Sequence, residues 1–428
     1  MSDRSPSRMP MAALLGAVAL LAPRVALALE PLEPFVASAE THAFDAREAR
    51  AVLAQRETEA DSATVRLAPT LGVTGVYTRN QFEARVGDKL IVPENQLDLY
   101  LTANMTLVDV GQWERMGATK RTREAAESRA KATRLEVTRL VVRDYYQVVA
   151  AEAVLSAARR TLATAEKNLA FVTTRKDAGF AQELDQKRAE AEVAKGRQLV
   201  ADATYQVAAS RRALETDSGK KPAEGAPALD ADLTPEAPLA DWEARSGSSH
   251  PSVRAAQDEA RAAERQASAT RASLLPTLSV GAQNRFTNAT GFQDRSSVYA
   301  LTATVALKFD ATQIVNGNAL GDAAVAARIR EEKATAQARD RVFLAWHAVR
   351  AQIDKAQAAR AGLAANQLAA RIARQRYEAG TATFLDVVTA ERDAFAAEVT
   401  RIQADGDLLL GRADLRIAAG SFGKADRP

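Results

Sequence analysis

Arg376-Tyr-Glu-Ala-Gly380, followed closely by Leu385-Asp386, is the second appearance of a pattern that this chain contains twice. The first appearance is Arg175-Lys-Asp-Ala-Gly179, followed by Leu184-Asp185. The offset is 201 residues throughout, from residue 175 to 376, from 179 to 380 and from 185 to 386. A repeat of this period predicts a pseudo-symmetric protein in which one structural unit of about 200 residues occurs twice.

Other fragments farther from these turns return at a similar distance. Leu67-Ala-Pro-Thr-Leu71 reappears as Leu274-Leu-Pro-Thr-Leu278, and Leu101-Thr-Ala103 reappears as Leu301-Thr-Ala303. The duplication therefore extends over most of each unit.

The composition indicates long packed helices and argues against several classes of function. Hydrophobic residues make up 47% of the 428 residues, but aromatic residues only 5%, and alanine is abundant. The net charge of +3 is small and dispersed, so no nucleic-acid partner is expected. The chain has no cysteine, which excludes disulfides, thiolate catalysis and cysteine-ligated metals.

The first 28 residues have the pattern of a secretory signal peptide. Arg4 and Arg8 precede an apolar run at residues 11–22, and Ala26-Leu-Ala28 provides an A-x-A cleavage site. The rival interpretation is a transmembrane anchor, but a run this short cannot cross about 30 Å of hydrocarbon as a helix. Export from the cytoplasm is therefore expected.

Four segments have the period-2 alternation of β-strands. In residues 97–109 the odd positions are mostly apolar and the even positions mostly polar, and residues 299–309 repeat this pattern. Residues 71–77 and 278–286 lie upstream as their hairpin partners. In an exported protein, one apolar and one polar face fit a barrel with lipid outside and water inside, although a soluble sandwich with a buried apolar face is the alternative.

Four strands are too few for a membrane barrel, for which about eight is the practical minimum. If these strands insert into a membrane, several chains must combine them. The strand count therefore predicts an oligomer.

The remaining sequence predicts very long helices. No proline occurs in residues 113–176 or in residues 319–377, and each segment would be about 90–95 Å long as a helix. Apolar residues recur every seven positions, which predicts helices packed side by side with a left-handed supercoil. The stripe in each copy consists of Val141, Val148, Leu155, Leu162 and Leu169, and of Val342, Val349, Ala356, Leu363 and Ala370. Arg401 interrupts the stripe of the last helix, where its aliphatic stem could lie along the seam.

Gly179 and Gly380 are predicted to end the long helices as left-handed caps, each followed by an antiparallel helix. The expected domains are a signal peptide at 1–28, a first repeat at 29–217, a Pro/Gly-rich linker at 218–249, a second repeat at 250–420 and a short tail at 421–428. Each repeat reads as helix, β-hairpin, very long helix, tight turn and returning helix. The predicted fold class is mainly α with a contribution of four strands per chain to a membrane β-barrel.

With these elements in place, the chain resembles the TolC-like outer-membrane efflux proteins over essentially the whole mature sequence. The most specific resemblance is Arg376-Tyr377-x-x-Gly380-Thr381-x-x-x-Leu385-Asp386, close to the hairpin motif of the family's second repeat. The first-repeat version is looser, because Lys176 stands where an aromatic residue is usual. A Leu-x-Pro before the first strand of each hairpin also fits.

This resemblance implies a homotrimer in the outer membrane. Three chains would contribute four strands each to one 12-strand barrel in outer-membrane lipid, and their helices would form a hollow α-barrel in the periplasm. The partners implied are a periplasmic adaptor and an inner-membrane transporter of the RND, ABC or MFS type. The duct would serve efflux or type I secretion and would open and close at its helical entrance.

The resemblance also implies roles for residues at the two turns. The adaptor would dock at Ala178, Gly179 and Phe180 and at Ala379, Gly380 and Thr381. Asp386 matches an entrance position whose three copies form a ring that favours cations. Asp185 and Tyr377 match positions in the contacts that hold the entrance closed. An Asp early in a helix can also serve simply as a favourable charge at the N-terminal dipole.

Two departures from the family pattern affect this entrance. Ala382 stands where a basic residue can follow the second-repeat glycine, so Asp185 lacks that partner. Thr389 stands at a second acidic position, so the ring of carboxylates would be thinner. The location of the entrance is therefore predicted more firmly than its bonds.

No sequence pattern indicates an enzyme, a cofactor or a metal. The three histidines, His42, His250 and His347, lack metal-ligand spacing. The alternative to an exit duct is a soluble periplasmic adaptor or coiled-coil scaffold, but an adaptor normally has one helical hairpin and added β-domains. The cargo is open among drugs, metal ions, polypeptides and polysaccharides.

Overall fold

The computed structural model describes residues 29–225, 227–246, 250–308, 310–420 and 422. The predicted signal peptide, and the tail beyond 420 apart from Phe422, lie outside the described residues. In chain order the helices are α1 (Leu32–His42), α2 (Phe44–Val65), α3 (Val110–Asp177), α4 (Glu183–Ser218), α5 (Leu239–Ser246), α6 (Pro251–Ala272), α7 (Ala311–Glu378) and α8 (Phe384–Ala418). The strands are β1 (Thr70–Arg79), β2 (Ala84–Val86), β3 (Lys89–Val92), β4 (Asn95–Val108), β5 (Thr277–Thr287) and β6 (Ser297–Ala306).

The two copies of the predicted unit are confirmed as equivalent sets of elements. Helices α3 and α7 each contain 68 residues and are therefore about 100 Å long. The returning helices α4 and α8 contain 36 and 35 residues. The mainly helical fold class with a tandem duplication is thus correct, and both long helices begin several residues earlier than the sequence predicted.

The two β-hairpins join into one antiparallel sheet with the strand order β1-β4-β5-β6. The central contact pairs β4 with β5, so that Leu99 is opposite Phe286 and Ala103 is opposite Ala282. In this register most of the apolar residues of the four strands lie on one face. Several of them are exposed, including Leu71, Val73, Tyr77, Leu97, Leu101, Tyr299, Leu301 and Val305.

This exposure contradicts the alternative of a soluble sandwich within one chain. Leu301 is 76% exposed and Val305 is 71% exposed, so the protomer's own core does not cover the apolar face. The opposite face is polar and contains the ion pair of Asp98 with Arg285, at 2.8 Å. A single sheet with one uncovered apolar face needs an apolar environment outside the protomer.

Three short elements were missed by the sequence interpretation. The loop predicted between β1 and β4 contains the small hairpin β2–β3, and the predicted linker contains α5. Helix α1 precedes α2 and packs on α3, with Phe35 fully buried. None of the helices in the described part of the chain is both long enough and apolar enough to span a membrane.

The main core lies where α1, α3, α4, α7, α8 and the linker meet. The heptad stripe enters it as predicted, because Val141, Val148, Val342 and Val349 are all buried. Farther along the same stripe, Leu162 and Leu363 are only half-buried within one protomer.

The linker is held against α7 and α8 through its backbone carbonyls. The donors are three arginines and one tryptophan, so the carbonyls of this extended segment are paired. These contacts are Arg360 to Ala231 (2.6 Å), Arg401 to Leu229 (3.1 Å), Arg412 to Thr234 (2.5 Å) and Trp346 to Ala237 (2.9 Å). Arg401 also pairs with the buried Asp405 at 2.9 Å, which explains why an arginine is tolerated in the apolar stripe.

Candidate functional site

The first helical turn connects α3 to α4 and is closed by backbone hydrogen bonds. Gly179 has φ +80°, a conformation that favours glycine. The amide of Phe180 donates to the Arg175 carbonyl at 2.8 Å, and the amide of Gly179 donates to the Lys176 carbonyl at 2.9 Å. These two bonds form a Schellman cap, as the sequence predicted.

The second turn, between α7 and α8, has the same closure. Gly380 has φ +74°, the amide of Thr381 donates to the Arg376 carbonyl at 2.8 Å, and the Gly380 amide donates to Tyr377 at 3.0 Å. A methyl group added to Gly179 or to Gly380 would meet no atom within 4 Å. Both glycines are thus needed for backbone conformation and not for close packing.

The two turns differ in the surface that they present. Phe180 is 76% exposed, which places an aromatic ring in solvent beside Ala178 at the first turn. Its counterpart Thr381 is also exposed, but its hydroxyl donates to the Arg376 carbonyl at 3.1 Å. The predicted docking residues therefore lie together at one end of the protomer, with an apolar tip in the first copy and a polar tip in the second.

Asp386 lies at the start of α8 and forms a capping box with Thr383. Its carboxylate accepts hydrogen bonds from the Thr383 amide and hydroxyl, both at 2.8 Å, and its own amide donates to the Thr383 hydroxyl at 3.3 Å. The Thr383 hydroxyl and amide hold the pKa of this carboxyl below its ordinary value, and Arg376 lowers it further. Asp386 is therefore an exposed, ionised helix cap.

Asp185 occupies the corresponding position in α4 without such a cap. The residue at the helix start is Gln182, and its side chain makes no capping hydrogen bond. Asp185 lies 3.7 Å from Arg188 in the same helix and is half-buried. The duplication has thus retained the carboxylate but not its hydrogen-bond partner.

Tyr377 is buried in an apolar cluster that joins the two turns. This cluster contains Val172 and Ala189 of the first copy together with Phe384, Val387 and Val388 of the second. Burial raises the pKa of the Tyr377 hydroxyl, and the Asp185 carboxylate raises it further. The hydroxyl has no hydrogen-bond partner in the structure, so Tyr377 contributes packing here.

Three further residues at the turns were assigned no contact or role from the sequence. Thr383 has a local signal, because Thr-x-x-Asp before an apolar run is a capping-box pattern. Phe171 and Arg175 have none, since their partners Tyr377 and Glu378 are about 200 residues away in the chain. Among the described residues, no group of three or more potential metal ligands is found.

Solved structures of outer-membrane channels have the same fold as this chain. The structure of CusC aligns with a TM-score of 0.79 and 18% identity, covering 91% of this chain and 92% of that chain. VceC from Vibrio cholerae aligns with a TM-score of 0.75 and 18% identity over 91% and 96%. The MtrE channel of Neisseria gonorrhoeae aligns with a TM-score of 0.77 and 21% identity over 92% and 89%. A comparison with curated protein sequences finds no match.

The family model described as outer membrane efflux protein matches residues 36–220 and 245–421, which is most of the chain. This match confirms the resemblance drawn from the turn motifs and the outer-membrane location. It also decides between an efflux channel and a soluble adaptor in favour of the channel. The chain belongs to the outer membrane efflux protein family.

Proposed function

We propose that three copies of this chain form an exit duct whose strands cross the outer membrane and whose helices extend into the periplasm. The observation that carries this proposal is the uncovered apolar face of the four-stranded sheet. Strands β1 and β6 are the edges of that sheet, and unpaired edges of this length need partners. Pairing β6 of one copy with β1 of the next would close a 12-strand barrel without a free edge.

The helices support the same assembly. Near the turns, α4 packs on α3, α3 packs on α8, and α8 packs on α7, which leaves α4 and α7 at the two sides of the layer. Helix α7 exposes large apolar side chains along its length, as an unfilled subunit interface would. These residues are Val315, Val325, Ile329, Leu344, Leu368 and Ile372. In the duct, α7 of one protomer packs against α2 and α4 of its neighbour.

The helical turns form the periplasmic entrance of the proposed duct. A periplasmic adaptor docks on Ala178, Gly179 and Phe180 and on Ala379, Gly380 and Thr381, and an inner-membrane transporter works through that adaptor. Three copies of Asp386 form a ring that favours cations, while Asp185 and Tyr377 lie in the contacts that keep the entrance closed. The MtrE structure is described as an open state of an outer-membrane channel, which supports an entrance that opens.

The proposed duct is passive and not an enzyme, and it works without a cofactor. Its two repeats, residues 29–217 and 250–420, each supply two strands and one helical hairpin to the wall. Residues 218–249 form the equatorial linker, and backbone carbonyls of this linker contact α7 and α8. Three chains would thereby build a wall with pseudo-sixfold symmetry.

Membrane fractionation tests the assembly. We expect the protein in the outer membrane, migrating as a trimer that heating dissociates into monomers. A soluble monomer in the periplasm would contradict the proposal. Leu301→Asp places a charge on the exposed apolar face of the sheet and should abolish membrane insertion. Thr302→Asp places the same charge on the polar face and should be tolerated better.

Planar-bilayer conductance tests the ring of carboxylates. Asp386→Asn removes the charge but retains an oxygen that can accept from Thr383, so it separates the charge from the helix cap. We expect this variant to lose cation preference, with Asp202→Asn, an exposed charge in the middle of α4, as the control. Equal ion selectivity in the two variants would show that Asp386 does not form the proposed ring at the entrance.

A further inference from the structure

Arg175 connects the first helical turn to the second within one protomer. It lies in the last turn of α3, and its Nη1 donates to the Tyr377 carbonyl at 3.3 Å and to the Glu378 carbonyl at 3.4 Å. These carbonyls end α7, where the helix dipole is negative and the last C=O groups lack partners inside the helix. An arginine of one hairpin therefore caps the long helix of the other.

The same guanidinium contacts two aromatic rings. Its central carbon is 5.6 Å from the centroid of Phe171, one turn earlier in α3, and 5.3 Å from the centroid of Tyr377. The two rings are themselves in an edge-to-face contact at 6.1 Å. A planar cation that contacts aromatic rings and donates at its edge uses both properties that distinguish arginine from lysine.

The duplicated position does not repeat this arrangement. Arg376 is the residue 201 positions after Arg175. Its side chain is exposed and lowers the pKa of Asp386 in its own hairpin. Position 171 corresponds to Ile372, so no aromatic ring precedes Arg376 by one turn. The contact of a turn arginine with aromatic rings and with the end of the other long helix is thus found in the first copy alone.

We propose that Arg175 holds the entrance of the duct closed by tying the α3 turn to the α7 turn. This inference rests on the proposed duct and concerns how its entrance is regulated. Any widening that moves the α7 turn away from the α3 turn breaks the carbonyl contacts and the stacking together. At the turns themselves, Arg175 supplies a polar contact between the two hairpins that neither the Tyr377 hydroxyl nor Ala382 provides. Farther from the turns, Asn168 donates to Glu391 and Arg392 pairs with Glu192.

Single-channel conductance of the purified full-length trimer tests the proposal. Arg175→Ala should raise the open probability of the resting channel by about tenfold, which corresponds to about 1.4 kcal/mol. Arg175→Lys retains the charge but loses the planar group, so we expect an intermediate value. Arg371→Ala removes an exposed arginine of α7 away from the contacts described above, and as the control it should leave the open probability at the wild-type value.

A second measurement separates gating from stability. The chain has no cysteine, so a spin label on Phe180→Cys reports the distance between the three first turns without a background signal. Arg175→Ala should shift this distance distribution to larger values, and a purely structural role would lower the thermal midpoint of the trimer without that shift. Phe171→Leu removes one aromatic contact, retains an apolar side chain, and should show the same shift to a smaller extent.

The outcomes distinguish this inference from the duct itself. If wild-type protein conducts and Arg175→Ala has the same open probability and label distances as Arg371→Ala, the inference is wrong and the duct stands. If Arg175→Ala fails to assemble, Phe171→Leu decides in its place, and wild-type behaviour of that variant would overturn the inference. If the wild-type protein forms neither trimers nor channels, the duct itself is wrong.

Discussion

The two helical turns share a backbone conformation and a sequence motif but differ in the side chains that cap and cover them. Gly179 and Gly380 have similar φ angles and equivalent cap hydrogen bonds. Around Gly380, Thr383 caps the next helix and Phe384 is buried, whereas around Gly179 the cap is absent and Phe180 is exposed. The second turn is therefore anchored by its own side chains. The first has its own hydrogen bond from Lys176 to Gln186 and is linked to the second through Arg175.

The comparison shows that the two copies keep the residue required by the backbone conformation of the turn, whereas several neighbouring side chains differ. A left-handed residue after a long helix is a local requirement, so both copies keep glycine. The side chains next to the turn have no such local requirement and can differ between the copies. In a wall built from alternating copies, one tip can present an apolar ring while the other supplies the packed cluster.

The largest expected effect is the difference in local stability between substituting Phe384 and substituting Phe180. Phe384→Ala removes a fully buried ring from the cluster around Tyr377 and should lower the free energy of local opening at the start of α8 by about 3 kcal/mol. Phe180→Ala removes an exposed ring and should leave this free energy nearly unchanged. Hydrogen exchange of the α8 amides measures both. Equal effects would show that the cluster does not anchor the second turn.

The helical walls differ as well, because Asp144 of α3 corresponds to Ala345 of α7. Asp144 is buried, and its Oδ2 has no partner unless it carries a proton shared with Asp217. Burial and the neighbouring Asp217 together raise the pKa of Asp144 to about 6, although Arg143 opposes the shift.

The sign of the pH dependence follows from this raised pKa. Between its ordinary value of 3.8 and about 6 the folded state binds the proton more tightly, so stability falls as the pH rises through this interval. Asp144→Asn carries no charge and should gain up to about 3 kcal/mol over the wild type above pH 6, with no gain below pH 4. Hydrogen exchange of α3 at a series of pH values measures this, with Asp202→Asn as the exposed control. A gain that does not vary with pH would contradict the assignment.

The glycines provide a test in which the two turns should behave alike. Gly179→Ala and Gly380→Ala each force a side chain into the left-handed region, at a cost of about 1–2 kcal/mol, without any steric contact. Thermal midpoints of the two variants should fall by similar amounts. A much larger loss for one of them would mean that its turn is packed against a neighbouring protomer.

The smallest effect concerns the capping box. Thr383→Ala should cost about 1 kcal/mol of local stability in α8, whereas Gln182→Ala should cost little in α4. Conversely, Gln182→Thr would place a threonine three residues before Asp185 and should stabilise α4 by a similar amount. The contribution of Asp386 should persist above its ordinary pKa of 3.8 and disappear as the pH falls through the lower pKa of the folded state. If Gln182→Thr has no effect, the two turns differ in backbone as well as in side chains.

The parts of the fold that could be predicted are those with a local or periodic cause. The four main strands follow from alternation, the long helices from proline-free heptads, and the caps from glycine at both turns. The small hairpin β2–β3 and the helices α1 and α5 were missed because each is short and depends on contacts with distant elements. Helix α5, for example, is fixed by the burial of Trp242.

For the candidate site as well, the position of the residues could be predicted but their contacts could not. The turn residues were located by the repeat alone, since a 201-residue offset aligns the two motifs without any structure. Their contacts were not, because Arg175 and Tyr377 meet only when two helices of about 100 Å end at the same end of the protomer. The same holds for Arg401, whose partners are a linker carbonyl and the buried Asp405.

By itself, then, the sequence determined the duplication, the element types and the position of the two turns, because backbone conformation and amphipathic period are local properties. Only the tertiary structure decided that Tyr377 packs with an unpartnered hydroxyl and that Arg175 joins the hairpins. Those outcomes depend on which side chains distant helices bring within hydrogen-bond reach. Sequence spacing carries no information about that distance.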